Sequence, residues 1–227
     1  MKVKFLAHAS FLITTNNGTK IITDPYKAGC FNNTLGYKPI NESADIVLIS
    51  HDHDDHNCVS EVTGQPKIIK EVGSKAVKDV KISGIGSYHD TQKGTQRGNN
   101  IIFVIEADGL RIVHLGDLGH GLSKEEYEKI GNVDVLLVPV GGYFTINEKV
   151  ATEIMNGTNP KILIPMHYKT SVLDFPIAEV DDFLKDKKNV KRFGNSEIEV
   201  TKETLPKTPE IWVLKMLKCD KGKDYHE

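Results

Sequence analysis

The stretch Asp45-Ile46-Val47-Leu48-Ile49-Ser50-His51-Asp52-His53-Asp54-Asp55-His56 decides how the rest of the chain is read. Its first half is a continuous run of β-branched and leucine residues, the pattern of a strand buried on both faces. Its second half places three histidines and three aspartates in six positions directly after that strand. Solvated turns contain such residues too. But neutral nitrogen and anionic oxygen donors this concentrated, on rigid backbone, are what a divalent metal ion requires. The i, i+2 spacing of His51 and His53 lets an extended segment aim both rings at one ion, and the turn after it can direct Asp55 and His56 at a second.

Working outward, the flanking segments read as two copies of one unit. Phe11 to Thr15, Asn16-Asn17-Gly18 and Lys20 to Thr23 form a hairpin that ends at Asp24-Pro25. The apolar strand quoted above follows, and then the strand Pro66-Lys67-Ile68-Ile69, with a helix expected over Val72 to Val77. Ile101 to Glu106, Asp108-Gly109 and Leu110 to Leu115 make a second hairpin, ending at Gly116-Asp117. Asp134 to Pro139 echoes Asp45 to Ser50, and Pro160 to Pro165 echoes the Pro66 segment before Met166-His167. The copies lie about 90 residues apart. Four correspondences in one order predict a duplicated α/β unit, with two sheets face to face and helices outside. Polar residues at the strand ends of both halves then meet on one rim. Helices are expected over Ser123 to Ile130, where Ser123 and Glu126 make a capping box, over about 147–155, and over about 177–184. Lys185 to Arg192 reads as a solvated helix end.

The chain has 227 residues and no linker or low-complexity segment, so one domain over 1–227 is expected. A net charge of −2 supplies no electrostatic case for a dedicated nucleic-acid or membrane binder. No secretory leader or membrane-length apolar run is read. The three cysteines, Cys30, Cys58 and Cys219, lack CxxC spacing, which argues against a disulfide framework and for a reducing, cytoplasmic setting. Cys58 reads as packing, and His226 as part of a polar end without ordering pattern.

The run His51-x-His53-x-Asp55-His56 resembles the HxHxDH signature of the metallo-β-lactamase fold superfamily, with Gly116-Asp117 and Pro165-Met166-His167-Tyr168 following in that family's order. The resemblance covers nearly the whole chain. His8-Ala9-Ser10-Phe11 and Pro139-Val140-Gly141-Gly142 look closest to the L-ascorbate-6-phosphate lactonase branch, although Ala7 stands where that branch carries glycine. It implies a four-layer αββα sandwich and two divalent ions: zinc first, with manganese, iron or nickel taking the same donors. One ion would lie on His51, His53 and a third histidine, the other on Asp55, His56 and His167, with Asp117 bridging. Asp24 would buttress the histidine loop without binding metal. For the third histidine, His89 is preferred over His114, whose alternation with Leu110 and Ile112 marks a core position.

Beyond the metal ligands, Asp55 is a candidate proton shuttle. His8, at the turn between the first two strands, is a candidate for contact with substrate or a metal and for a catalytic role, and His120, three residues past Asp117, for acid–base work or substrate contact, with structural roles equally open. Tyr143 and Tyr168 follow motif segments, and either hydrogen-bond substrate or pack at the rim or in the core. The expected activity is hydrolysis of a small ester, lactone or phosphoester by a metal-activated bridging hydroxide. A nuclease or phosphodiesterase is the alternative, disfavoured by the lack of spare length and basic charge. Flavodiiron-type redox chemistry and a non-catalytic metal module rank lower. The loop Asp90 to Asn100 departs from the family's serine-rich pattern, and its Lys93 and Arg97 either meet an anionic substrate or are solvated. The expected partner is a small molecule, and oligomeric association is left open.

Overall fold

The computed structural model describes residues 1–216; Cys219 and His226 lie outside the described residues. The strands in chain order are β1 (Lys2–Ala7), β2 (Ser10–Thr14), β3 (Lys20–Thr23), β4 (Glu42–Ser43), β5 (Ile46–Leu48), β6 (Val62–Thr63), β7 (Lys67–Ile69) and β8 (Gly73–Val77). The second half adds β9 (Val80–Tyr88), β10 (Asn99–Ala107), β11 (Leu110–His114), β12 (Val135–Pro139), β13 (Ile162–Met166), β14 (Val190–Arg192), β15 (Glu197–Glu199) and β16 (Glu210–Val213). One sheet runs β15-β1-β2-β3-β5-β7 and the other β14-β16-β13-β12-β11-β10-β9-β8, with β4 and β6 a small separate pair.

The duplication is visible in this order. In each sheet an antiparallel meander, β1-β2-β3 or β9-β10-β11, passes into parallel strands, β5-β7 or β12-β13. Period-two alternation then sorts side chains between layers. Phe103 and Ile105 of β10, with Leu137 of β12 and Ile164 of β13, face Phe11, Ile13, Ile21 and Leu48 across the inter-sheet core. Their neighbours Ile102, Val104, Leu136 and Leu163 face outward, under Ala151, Ile154 and Phe183.

Three helices form that outer layer: Lys124–Ile130, Glu148–Thr158 and Val180–Leu184. The first carries the expected Ser123–Glu126 capping box. The second is capped by Asn147, whose side chain accepts from the Val150 amide at 3.1 Å. The outer face of the first sheet is covered differently. Leu12, Ile22 and Val47 lie under Tyr26, Leu35, Tyr37 and Leu173, drawn mostly from irregular chain.

Two local expectations change. Val72 to Val77 is not helical: Gly73–Val77 pairs antiparallel with β9 in register from Gly73–Gly84 to Val77–Val80. A tight turn at Lys78-Asp79 brings the two together, and ladder hydrogen bonds outweigh a short segment's helix propensity. Lys185 to Arg192 is not a helix end throughout. After left-handed turns at Asp186 and Asn189, Val190–Arg192 forms a strand parallel to β16.

Candidate metal centre

Every residue of the cluster follows the C-terminal end of a strand. His8 follows β1, Asp24 follows β3, His51 to His56 follow β5, His89 follows β9, Asp117 follows β11 and His167 follows β13. These strands run the same way within each sheet, so both sheets deliver their polar ends to one rim. There the halves are joined directly, as the His167 amide donates to the His8 carbonyl at 2.8 Å.

Asp117 sits at the middle, almost fully buried. Its Oδ2 is approached by four imidazole nitrogens: Nε2 of His167 at 3.2 Å, of His56 at 3.3 Å, of His89 at 3.4 Å and of His51 at 3.9 Å. Donor atoms form two main groups, each within 4.8 Å internally, His51, His53 and His89, and His8, Asp55, His56 and His167; a third, Asp24, His51 and His56, overlaps both. His8 Nε2 lies 3.1 Å from Asp55 Oδ2, and its ring stands 4.1 Å from that of His167.

The proton arrangement suits a cation. Ser50 Oγ donates to Asp24 Oδ2 at 2.6 Å, so its lone pair is available to accept from His51 Nδ1 at 2.9 Å. Asp24 Oδ2 also accepts from His56 Nδ1 at 3.1 Å. With Nδ1 of His51 donating to Ser50, its Nε2 presents a bare lone pair to the centre, while His56, held through Nδ1 on Asp24, turns its Nε2 toward the Asp117 carboxylate. Seven buried side-chain polar atoms lack a partner among the described residues, and six belong to the cluster: His8 Nδ1, His51 Nε2, His56 Nε2, His89 Nδ1, Asp117 Oδ1 and His167 Nδ1. Buried polar atoms are rarely left so in a finished site. The donor set, the bare nitrogens and the orphaned carboxylate oxygen fit divalent metal.

The electrostatics agree. Burial, reinforced by His56, lowers His51 to about 3. Burial and the neighbouring His167 lower His8 to about 4, against the pull of Asp55. Burial also lowers His89. These rings are therefore neutral near pH 7, as a ligand must be. His56 goes the other way. Burial pushes it down, but the carboxylates of Asp117 and Asp55 outweigh burial and raise it well above the ordinary histidine range. Asp117 and Asp55 stay ionised because the surrounding imidazoles overcome the cost of their burial. The centre draws in positive charge.

Other expected residues fall elsewhere. His114 is fully buried, with Nε2 on the Ala9 carbonyl at 2.8 Å and Nδ1 accepting from the Gly116 amide at 3.1 Å; it belongs to the core. His120 lies outside the donor groups: its Nε2 accepts from the Tyr88 amide at 3.2 Å and its Nδ1 donates to the Gly121 carbonyl at 2.9 Å, with Glu126 Oε1 3.8 Å from Nε2. Tyr168 packs against Phe5, in the core. Cys58 is only half-buried and stands 3.3 Å from Ser60 Oγ, outside both donor groups.

Three positioning residues were not singled out from the sequence. Ser50 links Asp24 to His51. Asn100 is fully buried, accepting from the Asp117 amide at 3.0 Å while donating to Leu115 O and Ser87 Oγ. Asp90 accepts from the backbone amides of Gln92, Gly94, Gln96 and Arg97 at 2.7 to 3.0 Å. Asn100 follows Asn99 just before the apolar run that begins at Ile101, and no local pattern marked it.

The beta-lactamase superfamily domain matches residues 2–167 of the chain. A UPF0173 metal-dependent hydrolase of Pelotomaculum thermopropionicum is 34% identical over 210 residues, 80% of this chain and 88% of that protein. One of Thermococcus kodakarensis is 30% identical over 228 residues, 88% and 95% of the two chains. Among solved structures, a proposed Zn-dependent hydrolase of the metallo-β-lactamase superfamily from Thermotoga maritima superposes with TM-score 0.79 at 38% identity, over 95% of this chain and 99% of that one. With the sandwich and the histidine–aspartate rim, these likenesses assign the chain to the metallo-β-lactamase superfamily, among the UPF0173 metal-dependent hydrolases.

Proposed function

We propose that this metal-dependent hydrolase works at a dinuclear centre and cleaves a small ester, lactone or phosphoester in the cytoplasm, as one domain. The observation that supports it most is the convergence of four imidazole nitrogens on Asp117 Oδ2 with one donor group to either side. His51, His53 and His89 would hold one ion, Asp55, His56 and His167 the other, and Asp117 would lie between them. Two such ions, zinc first on this donor set, supply an activated water and polarise the oxygen under attack.

The chain's own residues do the rest. Asp24 and Ser50 hold His51 and His56 in the tautomers that turn Nε2 inward. Asp55, which meets His8 Nε2 through Oδ2 at 3.1 Å, would serve as the proton shuttle of the hydrolysis. The likeness to ascorbate-phosphate lactonases keeps lactones among the candidate substrates.

His51→Ala and Asp117→Ala are the test. Metal content by mass spectrometry should fall from two ions per chain to one or fewer. Turnover of lactone, carboxylester and bis-phosphoester probes should drop at least a hundredfold, with circular dichroism unchanged. Full turnover in either variant would sink the mechanism; a wild type that acts only on the bis-phosphoester would make the phosphodiesterase reading the right one.

A further inference from the structure

Arg97 stands apart from the other two arginines of the chain. Of three arginines, Arg111 pairs with Glu106 at 2.8 Å and Arg192 pairs with Asp181. Arg97 is in no ion pair among the described residues; its guanidinium lies over the Phe144 ring, 5.7 Å from the centroid. It stands at the edge of a cleft of about 760 Å³ lined also by His51, His53, Lys70, Glu71 and Tyr88; Phe144 and Tyr143 do not line that cleft.

The loop that carries it is built, not loose. The Asp90 carboxylate is almost fully buried and gathers four backbone amides, the last being that of Arg97 itself. Asp90 directly follows His89, so the guanidinium is tied to the metal rim by a short closed ring of chain.

Phe144 is one end of an aromatic wall. Its ring is 5.3 Å from that of Phe175, which lies 5.9 Å from His8 and 5.9 Å from Phe31. Tyr143 packs edge-on against Phe144 at 4.7 Å. Phe31 and Tyr143 expose 47% and 66% of their surface and both adopt left-handed backbone, with φ of 52° and 61°. Bulky residues rarely accept that conformation, and where they do the strain tends to mark a functional site. The wall therefore runs from His8, inside the centre, out to an unpaired guanidinium.

We propose that Arg97 and this wall form the substrate's second subsite, so that the preferred substrate carries an anionic group, carboxylate or phosphate, on a flat apolar body. The proposal rests on the hydrolase reading above. The flat body lies against Phe144 and Tyr143, the oxyanion meets the Arg97 fork, and the scissile bond reaches the centre near His8. A guanidinium stacked on an aromatic ring keeps its edge donors free for a bidentate contact.

The test uses metal-loaded protein, wild type and variants. Calorimetry gives Kd for 3-phenylpropanoate, benzylphosphonate and neutral 3-phenylpropanamide. Kinetics give the ratio of kcat/KM for 4-nitrophenyl glutarate, which is anionic, to that for 4-nitrophenyl pentanoate. Arg97→Ala should weaken both anions about ten- to hundredfold relative to the amide and lower the ester ratio similarly. Arg97→Lys should recover part of this loss, and Phe144→Ala should weaken all three ligands. Which anion wild type binds more tightly distinguishes carboxylate from phosphate. Equal loss on anions and amide, or no loss at all, overturns the proposal. Arg97-dependent binding without turnover of any ester would remove the hydrolase reading but leave the subsite; ester turnover with an Arg97-independent ratio would do the reverse.

Discussion

At the scale of single residues, Asp24 carries more than its distance from the reacting atoms suggests. It is fully buried and ionised, because hydrogen bonding from His56 and the nearby histidines overcome the cost of burial. Its Oδ1 accepts from the Ser50 amide at 2.7 Å, and its Oδ2 serves Ser50 Oγ and His56 Nδ1. Asp24→Ala strands those buried donors, a cost of about 2–4 kcal/mol. Thermal unfolding should show the lower stability, and metal affinity should fall with the loss of the carboxylate that orients His51 and His56. An alanine variant with unchanged unfolding and metal content would show that Asp24 holds nothing in place. Strain gathers at the same residues. His8, Asp24 and His167 all have positive φ, at 57°, 39° and 51°. The backbone must turn sharply at each strand end for the side chain to face inward. Sequence motif could name these residues, but it could not show that three of them sit in left-handed backbone.

At the scale of elements, two loops behind the ligands touch each other through glycine. A Cβ on Gly119 would run into the Asp90 amide nitrogen and the main-chain carbonyl of His89, and one on Gly141 into the His167 carbonyl oxygen. Backbone cannot yield as a side chain tip can, so Gly119→Ala should displace His89. On the dinuclear centre proposed above, its expected result is a folded protein that loses the ion assigned to His51, His53 and His89, read as one metal ion per chain in place of two. Retention of both ions would show that the loop absorbs the added methyl group. The strand-to-ligand correspondence is also an element-scale result. β1 and β9 occupy equivalent places in the two sheets and are followed by His8 and His89; β3 and β11 are followed by Asp24 and Asp117. The duplication thus gave one aspartate a supporting place and the other a central one.

At the scale of the whole molecule, the two sheets are joined by the core between them and by a polar clasp at the opposite end from the centre. Asp79, in the β8–β9 turn, accepts from Thr15 Oγ1 at 2.7 Å, from Asn17 Nδ2 at 3.2 Å and from Thr19 Oγ1, all in the β2–β3 loop. The Thr19 and Thr15 hydroxyls lower its pKa from the usual 3.8. A carboxylate depressed in this way stabilises the fold above its unfolded value, and that contribution disappears as pH falls through the folded value. Asp79→Asn should therefore be slightly less stable than wild type at pH 6, by less than about 1 kcal/mol because water screens the exposed group. Denaturant midpoints should converge toward pH 2; a gap that widens toward low pH would refute the assignment.

Much of this molecule could be read from the chain alone, for a physical reason. Apolar periodicity, Asn-Gly and Asp-Gly turns, and a capping box are local signals, and they placed the two meanders, the buried strands and the helix after Ser123. The repeat of those signals implied two similar sheets, and the histidine–aspartate run showed where metal would be sought. Long-range geometry was not legible, because nothing local records it. Whether β8 was strand or helix depended on pairing with β9, and only the fold shows that Tyr88 and Gly121 meet the two ring nitrogens of His120. The approach of Arg97 to Phe144 joins residues 47 positions apart. Sequence determined which donors were available and which strands would carry them. Only the packing of one sheet on the other decided which donors meet, because both halves had to bring their strand ends to one rim before four imidazoles could surround Asp117.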